Sequence, residues 1–274
     1  MVVVFGALLY WKARPIFGSH SLAGLLLSSV WTPSRGEFGF FAFIMGTLWV
    51  TALAMVIATP LSLLTAIYLA EYAPGRIRRA MDPVVDVLAG IPSVVYGVWG
   101  VVVVVPFVRD VIGKLTGEFT TGYSVLAGGI VLALMIIPIM VSVMQEVLLT
   151  TPSGLREASF SLGATRWETV RHVVCRRAGG GLVAACILAL SRAFGETMAV
   201  LMVVGNVPAA PHSVLDPAYP LPALIANNYG EMMSVRLYDS ALMTAALVLM
   251  AVVLASHVAA RLIVLRLSRK GAAS

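Results

Sequence analysis

The chain has 274 residues, 59% of them hydrophobic and only 12% charged, with a formal net charge of +6. Soluble domains carry about 25% charged residues, so this composition excludes an ordinary soluble protein and points to an all-α integral membrane protein. The basic residues lie between apolar runs instead of on one basic face, which argues against a nucleic-acid binder and reads as a topology signal.

Met1–Trp11 is apolar but too short to cross a hydrocarbon core of about 30 Å. It is expected to be the C-terminal part of a first helix whose beginning is missing. Lys12–Glu37 reads as a polar loop, so residues 1–37 are set apart from a membrane domain over 38–270. Phe38–Ala70 is the first full-length span, with Pro60 as its candidate kink. After the basic turn Glu71–Arg79, Val84–Val108 is expected to span with an interruption at Gly90-Ile91-Pro92-Ser93. Helix breakers at that depth are tolerated where protein or a wet cavity satisfies the freed backbone.

Arg109–Thr121 reads as a brief loop and Gly122–Leu149 as a span containing Pro138. A long polar loop follows over 150–181. Leu182–Asn206 is expected to be one spanning helix, Val207–Tyr238 a Pro-rich loop, and Asp239–Leu262 the last span before a basic tail with Arg266, Arg269 and Lys270. The loops after the second, fourth and sixth spans carry about twice the Lys and Arg of the other side. This places the 150–181 loop and the C-terminus in the cytoplasm, in a six-helix topology.

Ser191-Arg192-Ala193-Phe194-Gly195-Glu196-Thr197 puts two opposite charges near the middle of an apolar run. A charge at the centre of a spanning helix costs about 2.5–3.5 kcal/mol on insertion scales. Four residues apart on one helix, Arg192 and Glu196 would share a face. They line a solute path or form a structural ion pair between helices. Thr197 adds a hydroxyl, though a Thr bonding back to its own helix is the commoner case.

The 150–181 loop contains Gly154 to Val174, whose pattern predicts two short helices hinged at Gly163, the first capped from Thr151-Pro152-Ser153. Such a pair suits either a groove on a soluble partner or an anionic lipid surface held by Arg166 and Arg171. Asp82 and Asp86 read as interfacial, near Arg78 and Arg79, and Glu146 as a candidate contact of this loop. Cys175 and Cys186 are expected to be free thiols, and the four histidines, His20, His172, His212 and His257, lack metal-ligand spacing. No P-loop sequence, nucleophile elbow or H-E-x-x-H occurs, so neither ATP binding nor hydrolytic chemistry is expected of the chain itself. An intramembrane enzyme using Glu196 would need a second catalytic group, and none is evident in the spans.

Glu157-Ala158-Ser159 followed by Gly163 resembles the EAA loop of binding-protein-dependent ABC importer permeases, although Cys175-Arg176 stands where that family usually has Leu-Pro. Gly90-Ile91-Pro92-Ser93-Val94-Val95-Tyr96-Gly97, the Ser191–Val200 stretch and Gly205-Asn206 look like the PstC-type permeases of bacterial phosphate importers. The resemblance implies a six-helix type I importer fold with a cytoplasmic coupling helix in the inner membrane. It assigns Glu157, Ala158, Ser159 and Gly163 to ATPase coupling and Arg192, Glu196 and Thr197 to the substrate path. It implies a PstA-like permease, a PstB-like ATPase dimer that binds ATP and Mg, a PstS-like binding protein, membrane lipid and phosphate as partners, and no cofactor on this chain. The same machinery for sulfate, molybdate or phosphonate, or a phosphate-sensing subunit, remains open at this point.

Overall fold

The computed structural model describes residues 2–231, 235 and 237–272. Among the described residues, five helices are long and apolar enough to cross a membrane: α3 (Phe41–Tyr72), α5 (Ser93–Thr116), α6 (Val125–Leu149), α8 (Arg166–Gly195) and the first part of α11, Tyr238–Leu262. The shorter elements are α1 (Val2–Phe17), α2 (Leu22–Leu27), the two-stranded ribbon β1 (Trp31–Thr32) and β2 (Glu37–Phe38), α4 (Gly75–Gly90), α7 (Ser153–Ser161), α9 (Met198–Val203) and α10 (Leu221–Asn228). Helix α11 as a whole runs Tyr238–Ala272. The most apolar window of α6 is 67% buried, whereas each of the other four exposes more than half of its window. Apolar surface left bare on that scale is the surface a bilayer or partner chains cover.

Several expected boundaries move, each for a local reason. The loop expected over Lys12–Glu37 contains the end of α1, all of α2 and the ribbon, drawn together by apolar side chains. The span expected over Val84–Val108 is two helices. Helix α4 is charged and amphipathic, and Pro92 restricts Ile91 to an extended conformation, so the chain breaks there and α5 starts afresh at Ser93. At its other end α5 continues through the expected loop to Thr116, and within it Arg109 and Asp110 pair with each other at 2.9 Å. The Pro-rich loop holds α10; within that loop Met232, Met233, Ser234 and Arg236 lie outside the described residues. The side chains of the basic tail, Arg266, Arg269 and Lys270, also lie outside them.

The chain divides into two compact units. Met1–Ala54, Pro92–Leu132 and Phe194–Ala255 form the first, and Met55–Ile91, Ala133–Ala193 and Ser256–Ser274 the second. In the first unit, Trp31 is the centre of an aromatic cluster, its ring 5.1 Å from Phe43, 5.5 Å from Phe38, 5.7 Å from Phe40 and 6.3 Å from Tyr238. Aromatic pairs at such spacings contribute about 0.5–1.5 kcal/mol each beyond their area burial. Around it pack Ile16, Leu25, Leu221, Leu224 and Leu242. Polar groups at its edge are satisfied internally: Tyr238 Oη donates to Asn228 Oδ1 at 2.6 Å, and Thr47 Oγ1 accepts Leu221 N–H at 2.9 Å. The second unit has a smaller core in which Leu69 of α3, Val85 of α4 and Val141 of α6 meet.

Candidate functional site: the coupling helices and the break in the charged span

In the second unit α3 ends in a π-helical turn, Tyr68–Tyr72, which delivers Glu71 partly buried at its tip. Arg156 of α7 meets that carboxylate with Nη2 at 2.7 Å and Nε at 3.3 Å, and also donates to the carbonyls of Leu148 and Thr151. Arg166, at the start of α8, lies over the Tyr72 ring at 4.8 Å and donates to the Glu71 carbonyl. Two arginines thus tie the α7–α8 corner to the last turn of α3. Removing one partner of a buried pair costs about 3–5 kcal/mol, and this pair is 10–20% exposed, so the lower end applies.

The corner is built as expected around Gly163, whose φ of +83° is left-handed and whose missing side chain faces open space. Thr165 then caps α8 in a reciprocal box with Glu168: Thr165 N–H donates to Glu168 Oε2 at 2.8 Å, and Glu168 N–H to Thr165 Oγ1 at 3.3 Å. Ser159 faces inward, its hydroxyl 2.9 Å from that of Thr169, and so pins α7 to α8. Glu157 and Ala158 are exposed. Around them lie exposed Leu155, Phe160, Leu162 and Trp167, with Leu162 89% accessible. A rigid corner with an apolar crest and an acidic residue has the form of a docking element.

One expectation here is corrected. The cap of α7 is Pro152, with no side-chain hydrogen bond from the Thr151–Ser153 segment, because proline's fixed φ already presets the turn. Glu146 faces the same space as Thr150, the first residue of the 150–181 loop. It lines a cleft of about 380 Å³ with Asp82, Asp86, Ser142 and Gln145, where Gln145 Nε2 donates to Asp82 Oδ1 at 3.0 Å. The two aspartates therefore face α6 across this cleft instead of serving only as interfacial charges.

The charged span departs most from expectation. The single helix Leu182–Asn206 is interrupted: α8 ends at Gly195, Glu196 and Thr197 are outside any helix, and α9 starts at Met198. Arg192 and Glu196 are therefore not stacked one turn apart on a continuous helix. Glu196 Oε1 accepts the N–H of Ala199 at 3.2 Å, a side-chain bond to the first turn of α9 that competes with helix continuation at a glycine. Thr197 Oγ1 bonds back to the Gly195 carbonyl at 3.4 Å. Arg192 is exposed on α8. Arg109–Asp110 and Arg156–Glu71 form ion pairs, and neither pair includes Arg192 or Glu196.

Helix α9 lies against α5 in the first unit. A methyl group on Gly97 would come within 2.7 Å of Met202 Sδ and 3.1 Å of Ala199 Cα, and one on Gly100 within 2.8 Å of Val203. The glycine ending the Gly90–Gly97 motif is thus a site of close backbone approach. Asn206, in a left-handed conformation, ends the segment by donating to the Leu201 carbonyl at 2.8 Å.

Sequence reasoning missed the Glu71–Arg156 clamp; a lone acid inside a basic turn at the end of an apolar helix was its only trace. It also missed a bond between Ser191 Oγ and His257 Nε2 at 2.6 Å, for which one sequence carries no signal. Cys175 and Cys186 are free thiols, and among the described residues no cluster of His, Cys, Asp or Glu could hold a metal.

The family model for the binding-protein-dependent transport system inner membrane component matches residues 58–269. The chain belongs to this family. The permease is 40% identical over 257 residues to the phosphate transport system permease protein PstC of Xylella fastidiosa, an alignment covering 89% of this chain and 79% of that one. It is 42% identical over 208 residues to the probable ABC transporter permease protein YqgH of Bacillus subtilis, covering 75% and 66%. Among solved structures, the permease resembles a chain of the MetNI methionine ABC transporter in an inward-facing conformation, with a TM-score of 0.62 at 22% identity over 81% of this chain and 93% of that one. This last likeness establishes the fold alone, that of a type I importer permease; the family match makes the chain a multi-pass inner-membrane component.

Proposed function

We propose that this permease moves inorganic phosphate inward across the membrane as the PstC-like subunit of an ATP-driven importer. The observation that carries the reading is the 40% identity to a phosphate transport permease across most of both chains. In this reading it pairs with a PstA-like permease, receives phosphate from a PstS-like binding protein and docks a PstB-like ATPase dimer, which binds ATP and Mg. The 150–181 loop and the C-terminus face the cytoplasm.

Glu157, Ala158 and the apolar crest around Gly163 meet the ATPase, with Ser159 holding α7 against α8. When the ATPase dimer closes, the displaced corner pulls on α3 through Arg156 and Arg166, because both are tied to its last turn. A guanidinium offers a planar fork of donors that matches phosphate oxygens, so exposed Arg192 is the residue that receives the anion. Glu196 and Thr197 shape the path at the helix break, the carboxylate rejecting anions that Arg192 does not compensate.

The test is uptake of labelled phosphate by cells lacking their own importer, supplied with this chain and its partner subunits. ATP-dependent uptake that excess sulfate, molybdate or phosphonate does not suppress is expected. Full competition by another oxyanion would overturn the substrate while leaving the permease family in place.

A further inference from the structure

The Ser191–His257 bond joins α8 to α11 within the second unit. Ser191 Oγ also lies 2.9 Å from the Ile187 carbonyl one turn back. A hydroxyl has a single hydrogen, and a carbonyl can only accept. That hydrogen therefore goes to Ile187, and the oxygen's lone pair accepts Nε2–H from His257. The tautomer of the neutral ring follows: Nε2 carries the hydrogen, and Nδ1 carries a lone pair. Among the described residues Nδ1 has no hydrogen-bond partner.

The surroundings are cationic. Arg192 follows Ser191 directly, Arg261 follows His257 by one helical turn, and both arginines are exposed. A guanidinium in a spanning helix faces water or protein in preference to hydrocarbon, so this edge of α8 and α11 is not a lipid face. It offers two arginine cations and one lone pair held by the bond to Ser191.

We propose that His257 is a specificity-determining residue of the anion path, its Nδ1 accepting the O–H of a protonated oxyanion while Arg192 binds an anionic oxygen. The proposal rests on the reading that Arg192 lines that path. Near neutral pH inorganic phosphate keeps at least one O–H, whereas sulfate keeps none. The lone pair attracts the first and repels the second, and sites built around a substrate hydroxyl discriminate strongly against analogues lacking it. Ser191 holds the ring so that Nδ1, not Nε2, meets the anion.

Two substitutions separate the ring's nitrogens. Asparagine places an amide oxygen near the position of Nδ1, and glutamine an amide nitrogen near that of Nε2. In the complete importer, His257→Gln keeps the bond to Ser191. It is expected to raise the KM for phosphate about tenfold, with the maximal rate less affected, and to let sulfate compete about tenfold better. His257→Asn is expected to recover most of that selectivity, and arsenate, which also keeps a proton, competes alike in both. Membrane level and ATPase co-purification are measured for each variant. A glutamine variant at least as selective as the asparagine variant overturns the proposal and reduces the bond to a link between helices. Arg192→Gln run in parallel separates the two failures: normal uptake in that variant sinks the path reading itself, whereas lost uptake beside a selective His257→Gln sinks only this proposal.

Discussion

The corner at Gly163 and the break at Gly195 both interrupt helical chain beside a glycine, yet they are finished in different ways. At Gly163 the left-handed turn is followed by a capping box and flanked by the hydroxyl pair Ser159–Thr169, and Arg156 and Arg166 tie both helices to α3. At Gly195 a single carboxylate bond restarts the helix, and Arg192 and Ser191 remain exposed just before it. In the proposed reading, cross-bracing makes the first a lever that moves as one piece. Sparse bracing leaves the second with polar groups that a passing solute can engage. Under the proposed function, the mechanical and chemical roles fall on differently built interruptions.

The comparison breaks most sharply at Arg192. Arg192→Gln is expected to lower phosphate uptake at least about 100-fold, the loss of a charge-assisted pair worth about 3 kcal/mol, while partner subunits still co-purify. Uptake near the wild-type rate would remove the contrast. Gly163→Asp places a Cβ in a left-handed conformation at a cost of about 1 kcal/mol and puts a charge on the docking crest. Transport is expected to fall about tenfold while the ATPase turns over uncoupled, read by phosphate release alongside uptake.

Glu71→Gln tests the lever. It leaves the Arg156 guanidinium without its counter-charge, so detergent-solubilised protein should melt several degrees lower and uptake fall a few-fold. Unchanged melting and uptake would show that the clamp carries no force. The smallest effect belongs to Ser159→Ala, which removes one hydroxyl bond worth about 1 kcal/mol; a reduced coupling ratio of phosphate moved to ATP spent is its expected signature.

What the sequence made legible follows interaction range. The apolar runs of α3, α6 and α11 are long, and each was placed to within a few residues. Gly163 was readable as a hinge because short amphipathic patterns end on either side of it. Trp31 was assigned to a polar loop because its partners Phe43 and Tyr238 stand far away in the chain, and ring packing leaves no local pattern. The Glu71–Arg156 clamp was missed for the same reason. The break after Gly195 was missed because hydropathy does not register a carboxylate that turns back onto its own backbone; Glu196 was expected to share a helix face with Arg192, whereas it accepts the N–H of Ala199 in the first turn of α9.

The contact of α9 with α5 has an evolutionary consequence. A methyl group at position 97 would press on both Met202 Sδ and the Cα of Ala199; the thioether can swing aside, whereas the α9 backbone has to yield by a few tenths of an ångström. Gly97→Ala is therefore accommodated by a new Met202 rotamer together with that small backbone shift. A lineage that acquires alanine at position 97 meets its resistance at the backbone of residue 199, where exchanging a side chain brings no relief.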